Sequence, residues 1–344
     1  MKHFLFAKSI KLIMLVFLLT GCNQENVFNV EKKYIISDFP ESKTIEGVEL
    51  EVDLLGVTDI SGYDSLIYLN TPKLEKMYRI VSQNTGETLA ERITRGQGPN
   101  ELLNSFRPKL YEKIGDDIYM TIIDYAEKKI RKININKERI LDSINIDVSH
   151  IQGIYGAHKY DNEHLFVDYL QLDTLGQRYG LMNVDNGNVM TFSQKIDGAD
   201  IGGLGNSYLL ATAPTFNSTK KKYASAMTFL SQINILDINN PDKSFCLITS
   251  DHNLTMSQVA KSSERKRFYT DIESDENLIY ALTQAGRQTG RALHVFNWDG
   301  KPVMDITINE PIERIYFNSK TNTLYGITYN ENLYVYDLKT LLNH

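Results

Sequence analysis

Glu276-Asn277-Leu278-Ile279-Tyr280 is a polar turn that runs into a short apolar strand with a tyrosine near its centre. The same pattern stands at Asp64-Ser65-Leu66-Ile67-Tyr68, Asp116-Asp117-Ile118-Tyr119, Asn162-Glu163-His164-Leu165-Phe166, Lys221-Lys222-Tyr223-Ala224 and Asn322-Thr323-Leu324-Tyr325. From aromatic to aromatic the spacings are 51, 47, 57, 57 and 45 residues. A recurring period of this length marks stacked supersecondary units, none of which buries its apolar faces alone.

Around each aromatic strand the flanking sequence supplies three more. A β-rich segment follows, as in Lys129-Ile130-Arg131-Lys132-Ile133-Asn134-Ile135 and Leu333-Tyr334-Val335-Tyr336. Next come turns such as Asn84-Thr85-Gly86-Glu87, Asp185-Asn186-Gly187-Asn188 and Trp298-Asp299-Gly300-Lys301, whose Asn, Asp and Gly tolerate the positive φ of tight hairpins. A third run follows each turn (Pro302 to Ile308), and another precedes each aromatic strand (Ile312 to Phe317). Four strands per unit and six units give an all-β fold, a six-bladed β-propeller over residues 34–344. The sixth unit ends near Leu342 with its fourth strand missing. Ring closure by an N-terminal strand is therefore expected, from Thr44 to Glu51 or from the earlier Lys33-Tyr34-Ile35-Ile36. Two separate β-domains are the alternative, but no linker-like stretch divides the units. The 20 tyrosines would suit sugar platforms, yet their strand phase is that of packing between blades.

Leu19-Thr20-Gly21-Cys22 closes an apolar run preceded by Lys2, Lys8 and Lys11. A basic start, an apolar core from Leu12 to Leu19 and small residues before a cysteine read as a bacterial lipobox, with residues 1–21 as signal peptide and Cys22 as lipidated first residue. Eight uninterrupted apolar residues fall well short of the roughly 20 a membrane span requires. Residues 22–33 are expected to form a lipid-attached tether, and the membrane is an expected partner through the Cys22 anchor. The protein is therefore expected outside the cytoplasm, tied to a membrane and facing the periplasm or the exterior. Loss of the leader's three lysines moves the formal net charge from −6 to −9, which disfavours nucleic acid as a partner. Basic clusters at Lys220–Lys222, Arg265–Arg267 and Lys128–Lys132 read as solvated surface. Cys246 is the only other thiol, so no intramolecular disulfide is available once Cys22 carries lipid.

Arg95-Gly96-Gln97-Gly98-Pro99-Asn100-Glu101-Leu102-Leu103 follows the first unit. It resembles the Gly-x-Gly-Pro-x-Glu element of TolB-like six-bladed β-propeller lipoproteins, and the lipobox and six-unit rhythm agree with that family. The resemblance implies an outer-membrane or surface lipoprotein with a binding or scaffolding role, and it carries no catalytic residues. Read from its residues, the loop is an inter-blade connection, in which glycines open a backbone path and Pro99 stiffens it. Arg95 and Glu101 would pair across it or turn towards the central channel. As ligand contacts they are the candidates, Arg95 for an anionic group.

No catalytic residue, metal site or cofactor is expected. Asp124, Asp168, Asn70 and Asn330 fall at or after the ends of aromatic strands, where Asp and Asn are ordinary turn formers. His150, His158 and His164 have no metal-ligand spacing, Gly202-Gly203-Leu204-Gly205 is no dinucleotide fingerprint, and no Gly-x-Ser-x-Gly elbow occurs. The reading is a non-catalytic module binding an envelope protein or glycan on one face of the disc, including the insertions near Gly203 and His252. The alternative is a metal-dependent hydrolase or lactonase in the central channel, which needs three or more converging carboxylates. Replacing Cys22 by Ala is expected to move the protein from the membrane pellet to the soluble fraction; retention in the pellet would refute the lipid anchor.

Overall fold

The computed structural model describes residues 27–104, 107–108, 110–124, 127, 129–145, 151–171, 176–197, 208–249, 255–262, 265–284 and 291–342. Cys22, His150, Gly203 and His252 lie outside them. Hairpin after hairpin, the strands assemble into six antiparallel sheets of four, each meandering from the inside of a ring to its rim. Blade 1 is Asp59–Tyr63, Leu66–Asn70, Lys76–Ser82 and Thr88–Thr94. Blade 2 is Leu110–Ile114, Asp117–Asp124, Lys129–Asn134 and Arg139–Asn145. Blade 3 is Ile151–Lys159, His164–Gln171, Gln177–Asn183 and Val189–Ile196. Blade 4 is Thr212–Asn217, Lys222–Met227, Gln232–Asp237 and Phe245–Ile248. Blade 5 is Tyr269–Ser274, Leu278–Thr283, Arg291–Asn297 and Pro302–Ile308. Blade 6 is Ile312–Asn318, Thr323–Thr328, Leu333–Asp337 and, from the other end of the chain, Val48–Leu50.

Both faces of every blade are apolar, and each is covered by a neighbour. The buried hydrophobic side chains form six clusters, one at each seam between consecutive blades, including the seam that joins blade 6 to blade 1 through Tyr325, Ile327 and Leu333 against Ile60, Ile67 and Leu69. The aromatic of the second strand fills these seams in five blades: Tyr68, Phe166, Tyr223, Tyr280 and Tyr325 are all buried. Tyr119 is half-buried instead and lines a lateral groove between blades 2 and 3, with the Lys132 ammonium 5.1 Å from its ring centre. Tyr223 departs in another way. It is the second residue of its strand where the others are the third, so it turns back onto blade 3, and Ala224 takes the face towards blade 5. Its ring lies 4.8 Å from Phe166, which it meets across the seam.

Closure occurs through Val48–Leu50, inside the Thr44 to Glu51 stretch, paired antiparallel with Leu333–Val335. The earlier segment has a different use. Lys32–Ile35 adds a fifth, parallel strand to the rim of blade 4, against Phe245–Ile248, and Ser42–Ile45 does the same for blade 5 against Asp305–Ile308. Upstream, Phe28 bridges to Ile196 on the rim of blade 3, and the Asn29 side chain exchanges bonds with the backbone of Ser193 and Lys195. Residues 27–50 are thus a belt over the rims of blades 3 to 6. The stretch 27–33, expected as tether, is docked because Phe28 has no other way to leave water: it is fully buried among Tyr179, Ile196 and their neighbours, its ring 6.1 Å from that of Tyr179.

The two ends of the ring differ. Where the innermost strands end, the hairpins are short, with Asp64, Gly86, Gly115, Gly187, Lys221, Gly300 and Asn322 at positive φ. Where they begin, the connections are long, at 95–109, 197–211 and 249–268, the last containing the capped helix Met256–Lys261. Among the described residues no helix is long and apolar enough to cross a membrane. Phe28→Ala should destabilise the protein by about 3–5 kcal/mol, the usual cost of emptying a buried aromatic site, read as a lower denaturant midpoint. An unchanged midpoint would show that the belt does not hold the ring.

Candidate functional site

The innermost strands of blades 1 and 5 carry the same chemistry near their starts, Asp59-Ile60-Ser61 and Asp271-Ile272-Glu273. In both, the isoleucine goes into a seam, and the aspartate accepts the N–H of that isoleucine at 2.9 Å. Alternation then turns Asp59, Asp271 and Glu273 away from the seams and onto the central axis. Blade 6 has Arg314-Ile315 at the same place. A charge in this position is desolvated by five neighbouring blades and must be compensated.

Arg107 provides the compensation. It lies on the connection between blades 1 and 2, next to Pro108, and its guanidinium crosses the axis with its side chain 8 % exposed. One terminal nitrogen donates to Asp271 Oδ2 at 2.6 Å and lies 3.4 Å from Asp59 Oδ1; the other donates to Glu273 and to the carbonyl of Ile315. Asp271 Oδ2 also accepts the Ile315 N–H at 2.8 Å, so one carboxylate ties blades 5 and 6 to the plug. Burial raises the Asp59 carboxyl above the ordinary range, Arg107 opposes this and Asp271 adds to it. Burial would lower the Arg107 guanidinium, but Asp271, Glu273 and Asp59 overcome that and hold it above its usual value. Three carboxylates do converge on one cation in the channel, and that cation is the chain's own arginine.

Arg107 divides the channel. On the short-hairpin side is a shallow space of about 160 Å³ between Ser61, Glu273 and Tyr316. On the long-loop side a cavity of about 320 Å³ opens, bounded by Asp59, Arg107 and Asp271 at its floor and by Tyr155, Thr212, Thr270 and Arg314 on its walls. Three of the innermost strands are bulged near this mouth: Tyr155, Thr270 and Glu313 have no partner residue in the register of the adjacent strand. A bulge re-aims a side chain, and Tyr155 and Thr270 both line the cavity. Glu313 goes instead to Arg291.

Behind the Tyr155 wall lies Asp168, fully buried in the middle of its strand, so it forms no turn. Its Oδ2 accepts the Tyr223 hydroxyl at 2.6 Å and Gln177 Nε2 at 3.2 Å. Oδ1 lies 2.4 Å from where a Cβ on residue 156 would stand, so only Gly156 lets the strand pass. Burial and this carboxylate together raise the Tyr155 and Tyr223 phenols. Asp124 does act as a turn former, accepting the Glu127 N–H, and it also pairs with Arg131 at 2.9 Å. Asn70 is buried at the end of its strand, and Asn330 is exposed in the turn between the second and third strands of blade 6. His158 stacks on Phe216 beside the channel, whereas His164 is held by Asp161 at a hairpin. Among the described residues no group of His, Cys, Asp and Glu is arranged to hold a metal ion.

Arg95 and Glu101 do not meet in an ion pair. The Glu101 carboxylate folds back to accept the Gly98 N–H at 2.8 Å and occupies the space a Cβ on residue 96 would need, which is why glycine stands there. Leu102, bridged to Arg95, is buried between blades 1 and 2, and the Arg95 side chain is exposed. The loop joins those blades, as expected, and neither residue lines the channel cavity. What the sequence reading missed was Arg107 and its three acids. The Asp-Ile repeat of blades 1 and 5 was the available signal for two of them. Arg107→Met should cost about 3–5 kcal/mol, because the buried carboxylates lose the guanidinium they share. Those carboxyls would then have raised pKa values in the folded state, a stability contribution kept at low pH and lost as pH rises. The deficit against the parent protein, measured by denaturant titration, is therefore expected to be smaller at pH 5 than at pH 8.

No family model matches the chain, and no curated protein matches it. Among solved structures it is similar to a member of the DUF4221 family from Bacteroides vulgatus, at 13 % identity and TM-score 0.58, over 84 % of this chain and 94 % of that one. It is also similar to a putative exported protein from Bacteroides fragilis, at 8 % identity and TM-score 0.54, over 89 % of this chain and 98 % of that one. At these identities the likeness is one of fold, and it agrees with the six-bladed ring.

Proposed function

We propose that this chain is an envelope lipoprotein of the TolB-like propeller kind, held in the outer membrane through Cys22, that binds a protein or glycan partner without catalysing a reaction. The observation that carries the non-catalytic reading is the Arg107 plug. Asp59, Asp271 and Glu273 are the three carboxylates of the channel that a hydrolytic metal would recruit, and Arg107 engages all of them. A divalent ion would have to displace a guanidinium held by a backbone carbonyl as well. The contrast between the two ends of the ring favours recognition on the long-loop face, since loops on a rigid scaffold are where binding residues concentrate. The lipobox supplies the anchoring part of the reading, and one structural neighbour is itself described as exported.

The competing reading is the metal-dependent hydrolase. Ligands that bind only the folded state raise its stability by RT ln(1 + [L]/Kd), so melting reports metal binding directly. The melting temperature of the purified mature protein is expected to be the same with millimolar calcium, with zinc and with EDTA. A rise with either metal that the chelator reverses would overturn the proposal in favour of the hydrolase.

A further inference from the structure

The cavity on the long-loop side of Arg107 has features that go beyond a generic binding face. Its charges are already matched from within. Asp271 accepts Ile272 N–H on one oxygen and Arg107 and Ile315 N–H on the other. Asp59 lies between Arg107 and Arg314, at 3.4 and 3.8 Å. Arg314 itself donates to the carbonyls of Thr270 and Glu313. An ionic ligand entering here would find each charged wall group already facing an opposite one, so it would bring desolvation cost without a new counter-charge.

What the walls leave open is neutral and polar. The Thr270 hydroxyl is buried, lines the cavity and has no hydrogen-bond partner, an unsatisfied state that ordinarily costs free energy. Thr121, Thr212 and Thr228 add hydroxyls to the same walls. Every innermost strand is paired on one side only, so the channel-facing edges of blades 3 and 4 present backbone N–H and C=O groups. Tyr155, 41 % exposed, contributes an aromatic surface. Two of these groups, Tyr155 and Thr270, are delivered by bulges in separate blades, features that concentrate next to binding sites. Mixed donors and acceptors around an aromatic face suit a flat ring with several hydroxyls. A volume of about 320 Å³ is at the small end for ligand sites, room for one or two such rings.

We propose that this cavity binds an uncharged mono- or disaccharide, with Thr270 hydrogen-bonded to a sugar hydroxyl and Tyr155 against a ring face. The proposal rests on the binding-module reading and narrows it to one site and one ligand class. The test is calorimetric titration of the mature protein with neutral mono- and disaccharides, including glucose, galactose, cellobiose, maltose and N,N′-diacetylchitobiose, beside glucuronic acid and glucosamine. At least one neutral sugar should bind. Thr270→Val should weaken it by about five- to tenfold, the loss of one hydrogen bond. Tyr155→Ala should weaken it by about tenfold through lost ring contact. Both variants should melt close to the parent, since neither side chain is packed in a seam. Absence of binding by every neutral sugar at 10 mM, binding that both variants leave unchanged, or tenfold tighter binding of a charged sugar than of its neutral counterpart would each overturn the proposal. If sugars fail while calcium and EDTA leave melting unchanged, the saccharide site falls and the non-catalytic reading stands. Melting that responds to metal removes the reading itself.

Discussion

A sheet with two apolar faces needs two covers, and in this chain the only cover of the right shape is another such sheet. That constraint, applied six times, leaves no end to a row of blades, so the row must become a ring. The six clusters, one per seam, are its physical record, and the seam between blades 6 and 1 has its own buried cluster like the rest. Everything else is arranged around that closure. The N-terminal strand completes blade 6, and the belt upstream of it pairs the open rims of blades 4 and 5, edges that would otherwise offer templates for other chains.

Closing a ring creates a second problem at its centre, where the innermost strands converge and leave a column too narrow for a core yet shielded from bulk water. Side chains on the axial face of these strands are forced into that column by alternation. In blades 1 and 5 they are acids, and a guanidinium threaded in from the blade 1–2 connection neutralises them while bonding to blade 6. Arginine suits the task better than lysine, since its planar fork reaches several acceptors at once and stays charged when buried. The plug thus joins three blades across the axis, where hydrophobic seams cannot reach, and sets the floor of the cavity above it.

The period of the propeller was legible because packing imposes it locally: each seam wants an aromatic two residues beyond a tight turn, and turns and aromatics are both visible in sequence. The reading slipped where a blade solved the problem differently. In blade 4 the tyrosine comes one residue early and faces the opposite seam, and in blade 2 Tyr119 borders a groove. Local pattern carries no information about which face of which neighbour a strand meets. The belt was only partly legible for a related reason: Lys32–Ile35 is exposed along its whole length, so no periodicity betrays its pairing, and the isolated anchor Phe28 looks like part of a tether. The central site was least legible. Asp59, Arg107 and the Asp271–Glu273 pair are far apart in the chain, share no more than the short Asp-Ile repeat, and acquire their meaning only when the ring brings them to one axis. Asp168 was noticed but misread, since a strand-end turn former and a buried carboxylate under a glycine look alike in sequence.

The belt also dictates the order in which the molecule can be completed. Lys32–Ile35, Ser42–Ile45 and Val48–Leu50 find their partners more than 200 residues further along the chain, in the last three blades to emerge. The earliest strands of the chain therefore wait, unpaired, until nearly all of it has been made. Contacts of such long sequence separation slow folding, because loop closure must be met before they return anything. Blades 1 to 3 can form as hairpins while synthesis proceeds, but the ring locks only at the end. During that interval the N-terminal segment is an open strand edge, the state in which chaperones and proteases would meet this protein.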